Sequence, residues 1–326
     1  MARAERPGHR FLSRMSERRP LIGPGETWAI VTALSYTTVN ALLRWAAVEI
    51  DPWLGSMLRQ VPIALLAWTA VLWIDRGAIR PSSDRFLGWG VLAALVVAGF
   101  SSFVVGNVFF FGALSNAGLG PAAAGAQGGV VVAGAIGSML LGEHPSRRAW
   151  VGFSVVVMGM VFIATAQGTP GGPWLLGLLF ALGAGTAYAA SNLVTRSVQR
   201  RRAALWVTLA ANSVGGLGVL LVIQLIRGGG NPLAGGDGDQ MLVVLAAGVV
   251  NALALISIAA SLRHIDVAAA SSIQSGVVVF SFLAAVFIFN ETGSWPMIVG
   301  VTAVAAGILI ANLRRREPAT PPPAGS

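Results

Sequence analysis

The chain has 326 residues, of which 55% are hydrophobic and only 11% charged, and its mean hydropathy is +0.73. A water-soluble domain of this length carries roughly twice that charge, so a soluble fold is excluded, and with it a basic soluble surface for nucleic acid. The net charge of +9 comes from arginine without any lysine, and the absence of cysteine removes disulfides and thiolate metal sites.

In chain order, residues 1–26 hold six arginines but no apolar run. They are expected to form a disordered cytoplasmic tail rather than a cleavable secretory signal. Ten apolar stretches come next, at 27–47, 52–74, 86–116, 119–141 and 149–167, then 173–196, 203–226, 240–262, 266–289 and 294–313. Each is close to the roughly twenty residues that a helix needs to cross about 30 Å of hydrocarbon. All tryptophans but Trp68 fall near predicted ends, where amphipathic rings settle at the headgroup level. The Pro-rich segment 314–326 reads as a second disordered cytoplasmic tail.

Orientation is set by arginine. With the N-terminus inside and the sides alternating, nineteen arginines lie in cytoplasmic segments and Arg227 alone lies outside. The positive-inside rule then expects ten spans with both termini cytoplasmic.

The chain is also written twice. Tyr36, Asn40 and Arg44 share their spacing with Tyr188, Asn192 and Arg196, and these are the only tyrosines. Ala122–Val132 echoes Ala269–Val279, Leu92–Val97 echoes Leu245–Val250, and Trp53 with Arg59 is matched by Trp206 with Asn212. Glu143, Gly152 and Gly159 recur as Glu291, Gly300 and Gly307. Offsets wander between 147 and 153, the mark of small insertions between two copies. An odd number of helices per copy turns the second upside down relative to the first, the inverted-repeat plan of secondary transporters. The expected fold is therefore all-α, with ten transmembrane helices in a five-plus-five inverted repeat, 27–167 and 173–313.

These features resemble the drug/metabolite transporter superfamily, EamA-like family. The resemblance is carried by Gly142-Glu143 and Asn290-Glu291 closing the fourth span of each half, by Gly152, Gly159, Gly300 and Gly307 in the fifth, and by Arg59 in the second. It covers about 27–313 and implies a bundle that moves small metabolites, often amino acids, through a central cavity lined by the first four spans of each half. One departure is that Asn212 stands where the repeat would place a second Arg59, so any site is electrically lopsided.

The polar residues inside the spans are the candidates for a site. Arg59 lies about 8–10 Å below the outer surface at helical rise. It either faces a cavity, where it would hold a carboxylate or phosphate bidentately, or snorkels and caps carbonyls freed by Pro62. Tyr36, Asn40 and Arg44 share one helix face, as do Tyr188, Asn192 and Arg196. The tyrosines and asparagines either line a substrate path or bond between helices, while the two arginines read as interfacial anchors. Gln127 and Gln274 mark the fourth helix of each copy and need polar partners. Asn107, Asn212 and Asn251 are of the same kind, with less pattern behind them. Glu143 and Glu291 read as helix-end residues, and the paired glycines as packing.

No acidic residue lies in the middle of a span, which argues against a proton-driven antiporter built on one buried glutamate. Metal-ligand spacing and hydrolase motifs are absent, so no metal, cofactor or catalytic residue is expected. The expected function is secondary transport of a small polar metabolite, an amino acid or organic anion, with export the expected direction and no enzyme activity. A multidrug or cationic-compound exporter of the same fold is one alternative, and a membrane enzyme acting on lipid-linked substrates another. A regulatory partner without flux is a third. The partners expected are a small-molecule substrate and the lipid bilayer, with a monomer consistent with the sequence. Arginine without lysine, amid much Ala, Gly and Val, suggests a GC-rich genome and a bacterial inner membrane.

Overall fold

The computed structural model describes residues 23–84, 86–140, 146–166, 173–199, 205–261, 264, 273 and 275–312. The expected tails lie outside these residues, except for 23–26, of which Pro24 to Glu26 already belong to the first helix. The described residues form ten longer helices, α1 Pro24–Ala46, α2 Pro52–Ile74, α3 Trp89–Ala117, α4 Leu119–Leu140, α5 Arg147–Ala166, α6 Pro173–Gln199, α7 Leu205–Arg227, α8 Gly238–Ser261, α9 Gly276–Phe287 and α10 Trp295–Asn312, and one short 3-10 turn at Arg76–Ile79. Six of them, α2, α3, α5, α6, α7 and α8, are long and apolar enough to cross a membrane. The described apolar parts of α4, α9 and α10 are shorter. α1 has the length, but Thr, Ser, Tyr and Asn dilute its hydropathy; its buried face includes Thr32, Ser35 and Asn40. A polar helix of that kind is stable in a bilayer only where protein covers it.

Local chemistry explains the boundaries. Asp51 caps α2, its carboxylate accepting from the backbone N–H of Trp53 (3.0 Å) and Leu54 (3.1 Å), while Pro52 occupies the first turn, where no donor is missed. Pro62 interrupts the ladder of α2 four residues after Leu58. The chain passes from α3 to α4 through Gly118 at φ +83°, a left-handed conformation that suits glycine. It turns between α9 and α10 on Asn290 at φ +52°, and asparagine is one of the few other residues that tolerate this region.

The two halves interleave. α1 packs mainly on α8 and α9 of the second half, and α6 packs on α3 and α4 of the first. α2 meets α7 and α5 meets α10, so the main contacts recur when the halves are exchanged. The α5–α10 crossing is reciprocal in detail. A Cβ on Gly152 would lie 2.6 Å from Gly307 O, and one on Gly307 would lie 2.6 Å from Gly152 O. Gly159 and Gly300 face each other in the same way, a Cβ on either lying 2.7 Å from the other's carbonyl oxygen. Residue 152 opposite 307 and 159 opposite 300 means that the two fifth helices run antiparallel.

With no hydrophobic drive between helices in lipid, this backbone approach is what holds the pair together. Gly159→Ala and Gly300→Ala should each cost about 1–3 kcal/mol of stability through overpacking. Because both act at one crossing, the double variant should cost much less than the sum, as read by melting in detergent. Full additivity would show that the crossing is not a single unit.

Two π-helical segments interrupt this regular packing, Phe100–Gly106 in α3 and Val214–Gly218 in α7. They touch each other, and the backbones there are close enough that only glycine fits. A Cβ on Gly99 would sit 1.9 Å from Asn212 O, and one on Gly215 would sit 1.8 Å from Val96 O.

Candidate functional site

Directly after the π-helical segment of α3, Asn107 joins a buried polar cluster built around Arg59. Arg59 stands on α2 about 10 Å beyond Pro52 along the axis at helical rise, and α8 backs onto the same turn. There a Cβ on Gly248 would meet Arg59 O at 2.6 Å and the Pro62 ring at 2.9 Å. Arg59 donates from Nη1 to Asn107 Oδ1 (3.2 Å) and from Nη2 to Asn251 Oδ1 (3.1 Å). The Tyr188 hydroxyl donates to the same Asn107 oxygen (2.9 Å). Tyr36 lies within electrostatic reach of both Arg59 and Tyr188.

Four helices, two from each half, therefore meet around one guanidinium. The π-helical segment of α3 is what delivers Asn107, whose N–H bonds back five residues to Ser102 O. Widening a helix by one residue per turn rotates the side chains beyond the wide turn, a common device at functional sites. Gly106 leaves room for the Tyr188 ring, since a Cβ there would lie 2.5 Å from its Cε1.

The cluster is unsaturated. Arg59, Asn107 and Asn251 are all buried, yet Arg59 Nε and Asn107 Nδ2 have no hydrogen-bond partner. Among the described residues the ion pairs are Arg44 with Glu291 and Arg227 with Asp51, and no carboxylate faces Arg59. A buried cation among neutral partners, with donors to spare, is an arrangement that an anionic oxygen would complete.

The other sequence candidates occupy varied places. Asn40 is buried and donates to Ser281 of α9 (3.3 Å). Asn192, its counterpart in the second half, is exposed. Asn212 is buried at the π-helical crossing with its Oδ1 unpartnered. Gln127 is half-buried on α4, and Gln274 lies outside the described residues, as do Glu143 and the side chain of Arg196.

Glu291 stands at a helix end, but that of α4 rather than its own. Its carboxylate accepts from Leu119 N–H (2.8 and 3.0 Å), from Gly120 N–H (3.4 Å) and from Arg44 Nε (3.0 Å). A cavity of about 270 Å³ adjoins it, lined by Arg44, Ser115, Asn116, Gly118 and Thr292 among others. Asn107 and Asn251 gained their importance only from the fold, because their separation (251 − 107 = 144) matches none of the repeat offsets.

The EamA-like transporter family model matches residues 23–165 and again 175–313. The chain belongs to that family. It is a multi-pass helical membrane protein of a family of transporters rather than enzymes. Among solved structures, one described only as "Crystal structure of protein" is similar in fold, with a TM-score of 0.59 at 17% identity over 88% of this chain and 96% of that one. None of the curated proteins matches the chain.

Proposed function

We propose that this EamA-like protein is a secondary transporter of small carboxylate-bearing metabolites, organic anions or amino acids, working by alternating access between two inverted halves. The observation that carries the reading is Arg59, a buried guanidinium gripped by an asparagine from each half and left with an unused donor. A guanidinium between two halves binds cargo where relative motion of the halves can expose it to either side. Cationic cargo is disfavoured because the buried charge is itself positive.

The antiparallel run of α5 and α10 supports the inversion, since an in-plane two-fold axis relates equivalent helices in that way. In this proposal all ten helices span a bacterial inner membrane, both termini are cytoplasmic and the direction is export. Proteoliposomes loaded with carboxylates and amino acids should show counterflow of at least one of them. No counterflow across such a panel would overturn the proposal.

The topology is open to a direct check because the chain has no cysteine of its own. A cysteine at Gly236 should react with an impermeant maleimide from outside, and one at Ser82 should not. The reverse pattern would invert the assignment.

A further inference from the structure

The repeated Tyr-x3-Asn-x3-Arg face of α1 has two of its rungs engaged at two depths, each with a residue of the second half. Arg44, at the end of α1, pairs with Glu291 (3.0 Å). One turn deeper Asn40 donates to Ser281 of α9, and Tyr36 stands a further turn in along the same helix. The top rung is strengthened by α4, whose first N–H groups are held by the same Glu291 carboxylate. Like a charged cap, it binds three segments at one point.

Two further links close the same end between the halves. Arg227 of α7 grips Asp51 bidentately (2.9 and 3.1 Å), and Gln240 of α8 donates to Glu49. The corresponding face of α6 is different. Its top rung, Tyr188, reaches the site, but Asn192 is exposed where Asn40 is buried.

We propose that the polar face of α1 is the outer gate of the transport path, with Glu291 as its keystone, closed in this structure, while Asn192 on the matching face of α6 is left uncovered. The proposal rests on the transporter reading and adds the residues that must part for the site to face outward. The "NE" pair then has a physical meaning. Asn290 in a left-handed turn reverses the chain after α9, and Glu291, anchored through its own N–H to Ala285 O (2.9 Å), turns back across the seam.

The test uses the full-length protein in vesicles of known orientation, with a single cysteine at Ser281→Cys or Asn192→Cys and an impermeant maleimide as probe. In the otherwise unaltered chain, Ser281→Cys should be protected from outside and Asn192→Cys should react from the cytoplasmic side. Adding Arg44→Gln, which leaves Glu291 capping α4, should speed external labelling of Ser281→Cys at least about tenfold, the scale on which a lost charge-assisted bond moves an equilibrium. Glu291→Gln should do the same and serves as the second variant.

External labelling that is equally fast with and without Arg44→Gln would overturn the gate, as would protection of Asn192→Cys from the cytoplasmic side. The two readings separate cleanly. Unlocked labelling without measurable flux for any cargo would remove the transporter assignment and keep the gate. Intact flux with unchanged labelling would remove the gate alone.

Discussion

Arg59→Ala is expected to lower the initial rate of carboxylate flux by roughly 10²-fold, the loss of two or more charge-assisted hydrogen bonds in a low-dielectric site. Protein stability should move the other way. Arg59 is buried with no carboxylate beside it among the described residues, so its removal relieves a desolvated charge. The alanine variant should therefore melt at an equal or higher temperature in detergent. Arg59→Lys keeps the charge, but a single ammonium cannot reach Asn107 and Asn251 as a planar fork does, so its flux should fall between the two. A variant that melts earlier and transports normally would make Arg59 a helix-capping residue and leave the carboxylate proposal without its anchor.

Gly215→Ala should be among the most damaging single-methyl changes in the chain. The added carbon would fall 1.8 Å from Val96 O, a backbone atom of another helix, so α3 and α7 must separate. Gly99→Ala meets Asn212 O at 1.9 Å from the other side of the same crossing. Overpacking of this kind costs about 1–3 kcal/mol where side chains can give way, and more where backbone cannot. Gly218→Ala is the control three residues away, with nothing within 4 Å of its Cβ. It should be neutral or stabilising by up to about 1 kcal/mol from helix propensity alone. Equal melting temperatures for Gly215→Ala and Gly218→Ala would refute the close approach.

The sequence anticipated most of what is periodic or repeated. The breaks before residues 52 and 119 and the glycine pairs of α5 and α10 are local or recurrent signals, and the structure starts α2 and α4 at those breaks and packs the glycine pairs together. Of the two tyrosines matched by spacing, Tyr188 joins the Arg59 cluster through Asn107. The features that stayed hidden depend on contacts between segments far apart. Asn107 is aimed by a π-helical turn, and nothing in Phe100–Gly106 announces such a turn to a reader of 3.6-residue periodicity. Glu291 reads as a helix-end residue of its own span, and its partner is the start of α4, some 170 residues earlier. Equal spacing also suggested equal roles for Asn40 and Asn192, yet one is pinned and the other exposed, because the neighbours of a helix face are not written in the face.

The π-helical segments fall in the third helix of the first half but in the second helix of the other. Two bundles that differ in backbone winding cannot trade shapes on equal terms. For a rocking carrier, one resting posture is then lower in free energy, and a difference of only about 1.4 kcal/mol leaves roughly one molecule in ten in the opposite posture. Such a protein would show unequal apparent affinities on its two sides, a built-in handedness that a perfectly duplicated chain would lack.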